Sequence, residues 1–305
     1  MSVEVSVRPA EAGEAATVTE LLNEHSRRLH GTDNTTVAEL RQYWDSPDVQ
    51  FPADVLVAEK DGTLVGYADV GVWGEHVWLD LRVLDPEPLH PLLAAIEARA
   101  AERKPGANLI GWAHEKDQLT RAALERAGYR VIRHSFRMEI DLQSPLPEPE
   151  WPQGVEVHTL REGDEKRVYD AHMESFADAW MFTPEPFDQW SHWFVNDPAF
   201  DPTLWYLAEA GNDLAGILIG NESQSEPGLG SVRILGVVPA HRRRGIAQAL
   251  LQQAFREFKR RGLRRGGLGV DAESQTGAVE LYERAGMHVA RTSVQLEKVV
   301  IRDRQ

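Results

Sequence analysis

The sequence SVRILGVVPAHRRRGIAQALL, residues 231–251, decides the fold of this 305-residue chain. The apolar, β-branched run at 232–238 predicts a buried strand, and Pro239 ends it because proline has no amide hydrogen for the ladder. A basic turn at 241–244 and then Gly245 lead into a helix with regularly spaced apolar residues. The first amides of such a helix have no intrahelical partner and attract an anion. The stretch therefore predicts a strand, turn and helix that bind a pyrophosphate group.

At these residues the chain resembles the GCN5-related N-acetyltransferase (GNAT) family. The family signature, Arg/Gln-x-x-Gly-x-Gly/Ala, is met by Arg242, Gly245 and Ala247, and Val237 and Pro239 match the strand end before it. The alternative is a basic helix start on a solvated surface. The resemblance implies an α/β fold with a mixed sheet and an acetyl-CoA site in the second half of the chain. It places the cofactor contacts at Leu235, Gly236, Val237, Arg242, Arg243, Arg244, Gly245, Ile246, Ala247, Gln248 and Ser274.

A second motif follows the loop and concerns the chemistry. Tyr282 lies in a Leu-Tyr-Glu triplet that matches the tyrosine position of the family, which implies that it donates a proton to the departing thiolate. The alternative is a tyrosine packed on an amphipathic helix. Ser274 or Gln275 stands where the family has an asparagine that contacts the cofactor. The motif predicts catalysis by Tyr282 in the second half.

Acyl transfer also needs a neutral amine. An alkylammonium with a pKa of about 10.4 loses its proton at pH 7 at a cost of about 4–5 kcal/mol, so a general base is useful. Tandem members of the family have a glutamate before the central strand, and this position is Ser231 here. Glu222, at the end of the preceding strand, is the replacement by position, while an exposed surface carboxylate is the alternative. The resemblance also implies that a backbone amide at 235–237 stabilises the oxyanion.

The chain repeats itself. VAEKDGTLVGYA at 57–68 matches LAEAGNDLAGIL at 207–218, an offset of 150 (207 − 57), and LERAGY at 124–129 matches YERAGM at 282–287. The proline-rich segment 144–154 predicts a linker. We therefore expect two tandem GNAT-like domains, at 1–143 and 155–305.

The two halves differ where the cofactor would bind. In place of the basic loop, the first half has DPEPLHP at 85–91, with three prolines and two acidic residues. Proline supplies no amide donor, and carboxylates repel phosphates. We expect the first domain not to bind coenzyme A, and to be structural or to form one wall of the acceptor site.

One aromatic stretch in the second half has two interpretations. Trp190, His192 and Trp193 could contact an apolar or cationic acceptor, but tryptophans three positions apart on a helix also fit a core-facing stripe. The sequence leaves both open.

Composition narrows the function class further. The net charge of −15 argues against a nucleic-acid partner, and the chain has no cysteine. No signal peptide or membrane span is expected, nor a metal site, and the predicted location is cytoplasmic. We expect an acetyltransferase that acts on a small-molecule amine, as a monomer or homodimer. An antibiotic-like or polyamine acceptor would suit the acidic surface, and a non-catalytic acyl-CoA-binding or sensing protein is the alternative.

Overall fold

Alternating strands and helices make up residues 5–300, the part of the chain that this computed structural model describes. They form two units, one of residues up to His134 together with those from Thr292 onward, and one of Ser135–Arg291. The chain thus divides at 134/135 and 291/292, whereas composition suggested a division in the proline-rich segment at 144–154.

The elements up to the first division have the same order of types as those after it. Up to residue 134 they are β1 (Ser6–Pro9), α1 (Ala15–His30), α2 (Val37–Trp44), β2 (Val55–Lys60), β3 (Thr63–Trp73), β4 (His76–Val83), α3 (Leu89–Arg103), β5 (Leu109–His114), α4 (Gln118–Arg126) and the first part of β6 (Arg130–Asp141). They continue with β7 (Val155–Thr159), α5 (Glu165–Phe176), α6 (Phe187–Phe194), β8 (Trp205–Ala210), β9 (Asp213–Glu222), β10 (Leu229–Val237), α7 (Ile246–Arg260), β11 (Arg265–Asp271), α8 (Ala278–Arg284) and β12 (His288–Lys298).

Local chemistry explains several of these boundaries. Thr36 caps α2 by accepting from the Glu39 amide at 3.2 Å, and the Glu39 carboxylate accepts from the Thr36 amide at 2.7 Å. Asp61 and Gly62, with φ of 50° and 75°, form the tight turn between β2 and β3. Both features follow from the local sequence, a Thr-x-x-Glu pattern and an Asp-Gly pair.

Within residues 5–300, neighbouring strands of each unit run antiparallel except for one parallel pair. In the first unit the order is β1-β2-β3-β4-β5-β12, with β4 and β5 parallel. In the second unit it is β6-β11-β10-β9-β8-β7, with β10 and β11 parallel.

The last strand of each half belongs to the other unit. Residues 293–298 of β12 pair with β5, and residues 135–141 of β6 pair with β11. Val294 and Leu296 are almost fully buried in the core of the first unit, and Met138 is fully buried in the core of the second. The apolar faces of these strands therefore complete cores whose other residues are mostly distant from them in sequence.

Helices cover the strands of the second unit on both sides. α7 contributes Phe255 and Phe258 to one core, and α6 contributes Trp190 to another. None of the helices between residues 5 and 300 has the length and apolar composition needed to cross a bilayer.

Candidate active site

The parallel strands β10 and β11 part halfway along their length. Their pairing ends at Val232 and Leu268, although β10 continues to pair with β9 as far as Val237 and β11 continues to pair with β6. The register of β10 shifts at residue 233, and such a bulge bends a strand. Beyond it, the facing edges of β10 and β11 carry backbone groups that are not paired with each other. An extended ligand with amide groups can bind along such an edge.

The loop after β10 presents backbone donors. Arg243 and Gly245 have φ of 63° and 90°, and no side chain of residues 5–300 caps the first turn of α7. Among residues 5–300, the first amide of this turn that has a backbone acceptor is that of Ala249, which donates to the Gly245 carbonyl at 3.1 Å. The amides at 246–248 thus remain available, and a helix N-terminus with unsatisfied amides favours an anion.

The backbone conformation at residue 245 requires a glycine. A Cβ atom at this position would meet no atom of the described residues within 4 Å, so packing does not exclude a side chain. The positive φ does disfavour one.

The Arg242 side chain makes several bonds within the second unit. Its guanidinium donates to the Val237 carbonyl at 3.2 Å and the Ser175 carbonyl at 3.0 Å, and it binds both carboxylate oxygens of Asp178 at 2.6 and 2.9 Å. These bonds hold the pKa of Asp178 below its usual range. The side chain therefore ties the loop to the end of α5, whereas Arg243 and Arg244 are exposed.

Gly236 is required by packing. A Cβ atom built on it would lie 2.3 Å from the Ser175 hydroxyl oxygen of α5. This is far below van der Waals contact, so α5 reaches β10 only because residue 236 has no side chain.

Tyr282 lies on α8, which follows β11 and so follows one edge of the gap. It is 8% exposed, and burial raises the pKa of its phenol to about 12. The hydroxyl is therefore protonated at neutral pH and is a hydrogen-bond donor. Ser274 lies in the turn before α8, where its hydroxyl contacts that of Thr276 at 2.9 Å.

The structure places Glu222 away from the loop. β9 and β10 are antiparallel, so the end of β9 lies beside the beginning of β10, and Glu222 pairs with Gly230. Val237 is seven residues farther along, about 23 Å at the usual rise of a strand. The Glu222 carboxylate instead accepts from Arg261, just after α7, at 3.1 Å. β9 thus ends at Glu222, as its position in the sequence predicts, and this end of β9 lies beside the start of β10.

The aromatic stretch on α6 is mainly core. Trp190 is fully buried, and its indole donates to Nδ1 of His172 at 2.9 Å. Burial lowers the pKa of His172 to about 4, so this ring is neutral at pH 7 with its proton on Nε2. His172 was not predicted from the sequence, and neither was Arg233, whose guanidinium lies 4.7 Å from the Phe194 ring and donates to the Trp193 carbonyl. Within residues 5–300, no group of three or more histidines and carboxylates could hold a metal ion.

Comparison with known proteins extends the resemblance to most of the chain. The model of the acetyltransferase (GNAT) family matches residues 166–287. A protein of Salinispora arenicola named mycothiol acetyltransferase is 31% identical, over 83% of this chain and 82% of its own length. The crystal structure of a GCN5-related N-acetyltransferase from Sphaerobacter thermophilus is 28% identical, covers 98% of this chain and 97% of its own, and superposes with a TM-score of 0.79.

A tandem GNAT protein from the clavulanic acid biosynthesis pathway covers 99% of this chain and 100% of its own, with a TM-score of 0.72. At 15% identity it is evidence for the fold alone. The tandem mixed-sheet fold and the family that the loop motif predicted are thus confirmed. The chain belongs to the acetyltransferase (GNAT) family, and is an acyltransferase whose acyl donor is acetyl-CoA.

Proposed function

We propose that the second unit transfers the acetyl group of acetyl-CoA directly to a primary amine of a small molecule. The observation that carries this proposal is the parting of β10 and β11 beside the uncapped start of α7. The gap offers strand edges to the amide-bearing arm of the donor, and the loop offers amides to its pyrophosphate. The first unit has Pro86 and Pro88 just before α3 and Pro91 in its first turn, and none of these prolines has an amide hydrogen to offer.

In the proposed reaction, the amine nitrogen attacks the thioester carbonyl carbon and the carbon–sulfur bond then breaks. A backbone amide at 235–237 donates to the oxygen that becomes negative. The products are an amide and a thiol, and one proton moves from nitrogen to sulfur. The name of the Salinispora arenicola relative, mycothiol acetyltransferase, supports a small-molecule acceptor.

We assign Tyr282 the role of a hydrogen-bond donor to sulfur. Burial raises the pKa of its phenol to about 12, so the hydroxyl is protonated and can donate to sulfur as the carbon–sulfur bond breaks. This hydrogen bond stabilises the developing thiolate.

Two matched variants test where the donor binds. Ala247→Glu adds a carboxylate in the first turn of α7, and His90→Glu adds one in the first turn of α3. An acidic residue there favours the helix itself, so the melting temperature without ligand should be unchanged or slightly higher. Acetyl-CoA at 100 times its dissociation constant should stabilise the wild type by about 2.7 kcal/mol.

We expect this stabilisation to disappear in Ala247→Glu and to persist in His90→Glu. The reverse would place the donor in the first unit and refute the proposal. Release of free thiol with a series of amines then tests turnover. Binding without turnover by any amine would instead indicate an acyl-CoA sensor.

A further inference from the structure

A cavity of about 490 Å³ lies within the first unit. It opens where β4 and β5 part, because their parallel pairing covers only residues 77–79 of β4. α1 and α2 contribute to its lining along with β3, β4 and β5. Its charged and large aromatic lining residues include Asp69, Asp80, Arg82, Trp73, Trp78 and Trp112.

Two carboxylates face each other across this cavity wall. Asp69 on β3 and Asp80 on β4 are direct cross-strand partners, an arrangement that is unfavourable for like charges. Asp80 forms an ion pair with Arg82 at 2.5 Å, and the Arg82 guanidinium lies 4.8 Å from the Trp112 ring. Arg82 therefore forms its ion pair with Asp80, and its charge also acts on Asp69.

Asp69 is held by neutral groups. It is 6% exposed, and the Tyr43 hydroxyl donates to its carboxylate at 2.6 Å. Burial, and then the charge of Asp80, raise the pKa of Asp69 to about 7. The carboxylate lacks a positive partner of its own among residues 5–300, and a bound cation would supply one.

Polar atoms elsewhere on the wall are also unsatisfied. The Ser26 hydroxyl, on a side chain that is 6% exposed, and Oε1 of Gln295 are buried and have no hydrogen-bond partner within residues 5–300. Both residues line the cavity. An amide oxygen only accepts, so it requires a ligand that donates. Buried polar groups are normally hydrogen-bonded, so these two atoms point to a missing donor.

We propose that the first unit binds a small organic cation with N–H donors in this cavity, a primary ammonium or a guanidinium on an aromatic or apolar body. Asp69 supplies the countercharge, Ser26 and Gln295 accept from the remaining N–H groups, and the tryptophans contact the body. The carboxylates exclude phosphates.

Calorimetric titration of the full chain tests the proposal with three probes. These are 2-phenylethylammonium, phenylguanidinium and the neutral 2-phenylethanol. We expect both cations to bind the wild type, and the alcohol to bind at least tenfold more weakly, about the effect of losing one charge-assisted hydrogen bond. Failure of both cations to bind, or equal binding of the alcohol, would overturn the proposal.

Variants locate the site. Asp69→Asn should weaken cation binding at least tenfold, about the loss expected for a charge-assisted contact, while Asp85→Asn, the same change at an exposed position, should not. Asparagine at 69 still accepts from Tyr43, so the fold should survive, which the melting temperature checks. Asp80→Asn provides a second test at the facing position. Cation binding that persists in both Asp69→Asn and Asp80→Asn would show that the site lies elsewhere, including at an acceptor site in the second unit.

Discussion

Leu296 on β12 provides a test of whether the last strand of each half belongs to the other unit. Its side chain is fully buried in the core of the first unit, although the repeat places it in the second half of the sequence. Truncation of a buried leucine to alanine costs about 2–5 kcal/mol. A domain has a total stability of about 5–15 kcal/mol, so Leu296→Ala should remove a large part of it. The loss of stability should be largest in the first unit.

Hydrogen exchange measured by mass spectrometry in mild urea would show where the loss falls. We expect faster exchange in β3, β4 and β5 of Leu296→Ala, and a smaller change in β10 and β11. Val299→Ala is the control, because Val299 is 62% exposed and lies just after the strand. A change at such a surface site should stay within about 0.5 kcal/mol.

The reciprocal variant is Met138→Ala on β6, which should accelerate exchange in β10 and β11 instead. If Leu296→Ala loosened β10 and β11 while leaving β3 to β5 protected, β12 would belong to the second unit. The division at 144–154 that composition suggests would then be correct, and the pairing of β12 with β5 would be refuted.

Four further outcomes follow from the sites. Tyr282→Phe should lower kcat by about 10- to 100-fold, or 1.4–2.7 kcal/mol, with an unchanged KM for acetyl-CoA, in steady-state assays. Glu222→Gln should leave turnover nearly unchanged, whereas a loss of about 100-fold or more would return it to the role of general base. Gly236→Ala should cost about 1–3 kcal/mol in urea unfolding through overpacking, and Ser175→Gly should recover part of that loss. The raised pKa of Asp69 means that the folded chain binds more protons than the unfolded chain between about pH 4 and pH 7, so stability should fall as the pH rises through that range. Asp69→Asn should flatten this pH dependence, which is measured from the midpoints of urea unfolding at each pH. The other titratable or charged groups that line the cavity are His25, Glu39, Tyr43, Tyr67, Asp80, Arg82 and His114.

Features that depend on neighbouring residues could be predicted from the sequence. The end of β10 at Pro239, the left-handed Gly245 and the start of α7 follow from steric and hydrogen-bonding rules over a few positions. The cap at Thr36 and the turn at Asp61 are of the same kind. Such rules identify a strand but not its partner. The pairing of β12 with β5 could therefore not be read from periodicity.

The roles of individual side chains were harder to predict for a related reason. Arg242 fits the phosphate motif in sequence, but its side chain is bound by Asp178 and two carbonyls, which only the packing of α5 reveals. The unusual environment of Asp69 could have been recognised from the sequence. It interrupts the apolar strand TLVGYADVGVW, residues 63–73, at a position where a buried carboxylate is costly without a partner.

The two units illustrate how one backbone arrangement can suit ligands of opposite charge. In both, a parallel pair of strands separates after three or four residue pairs and leaves a gap. In the second unit the gap is followed by a glycine loop, exposed arginines and free helix amides, which favour an anionic donor. In the first, prolines replace the loop and carboxylates line the opening, which favours a cation. On the two proposals above, residues beside the gap select the ligand, while the strands that form the gap stay in place.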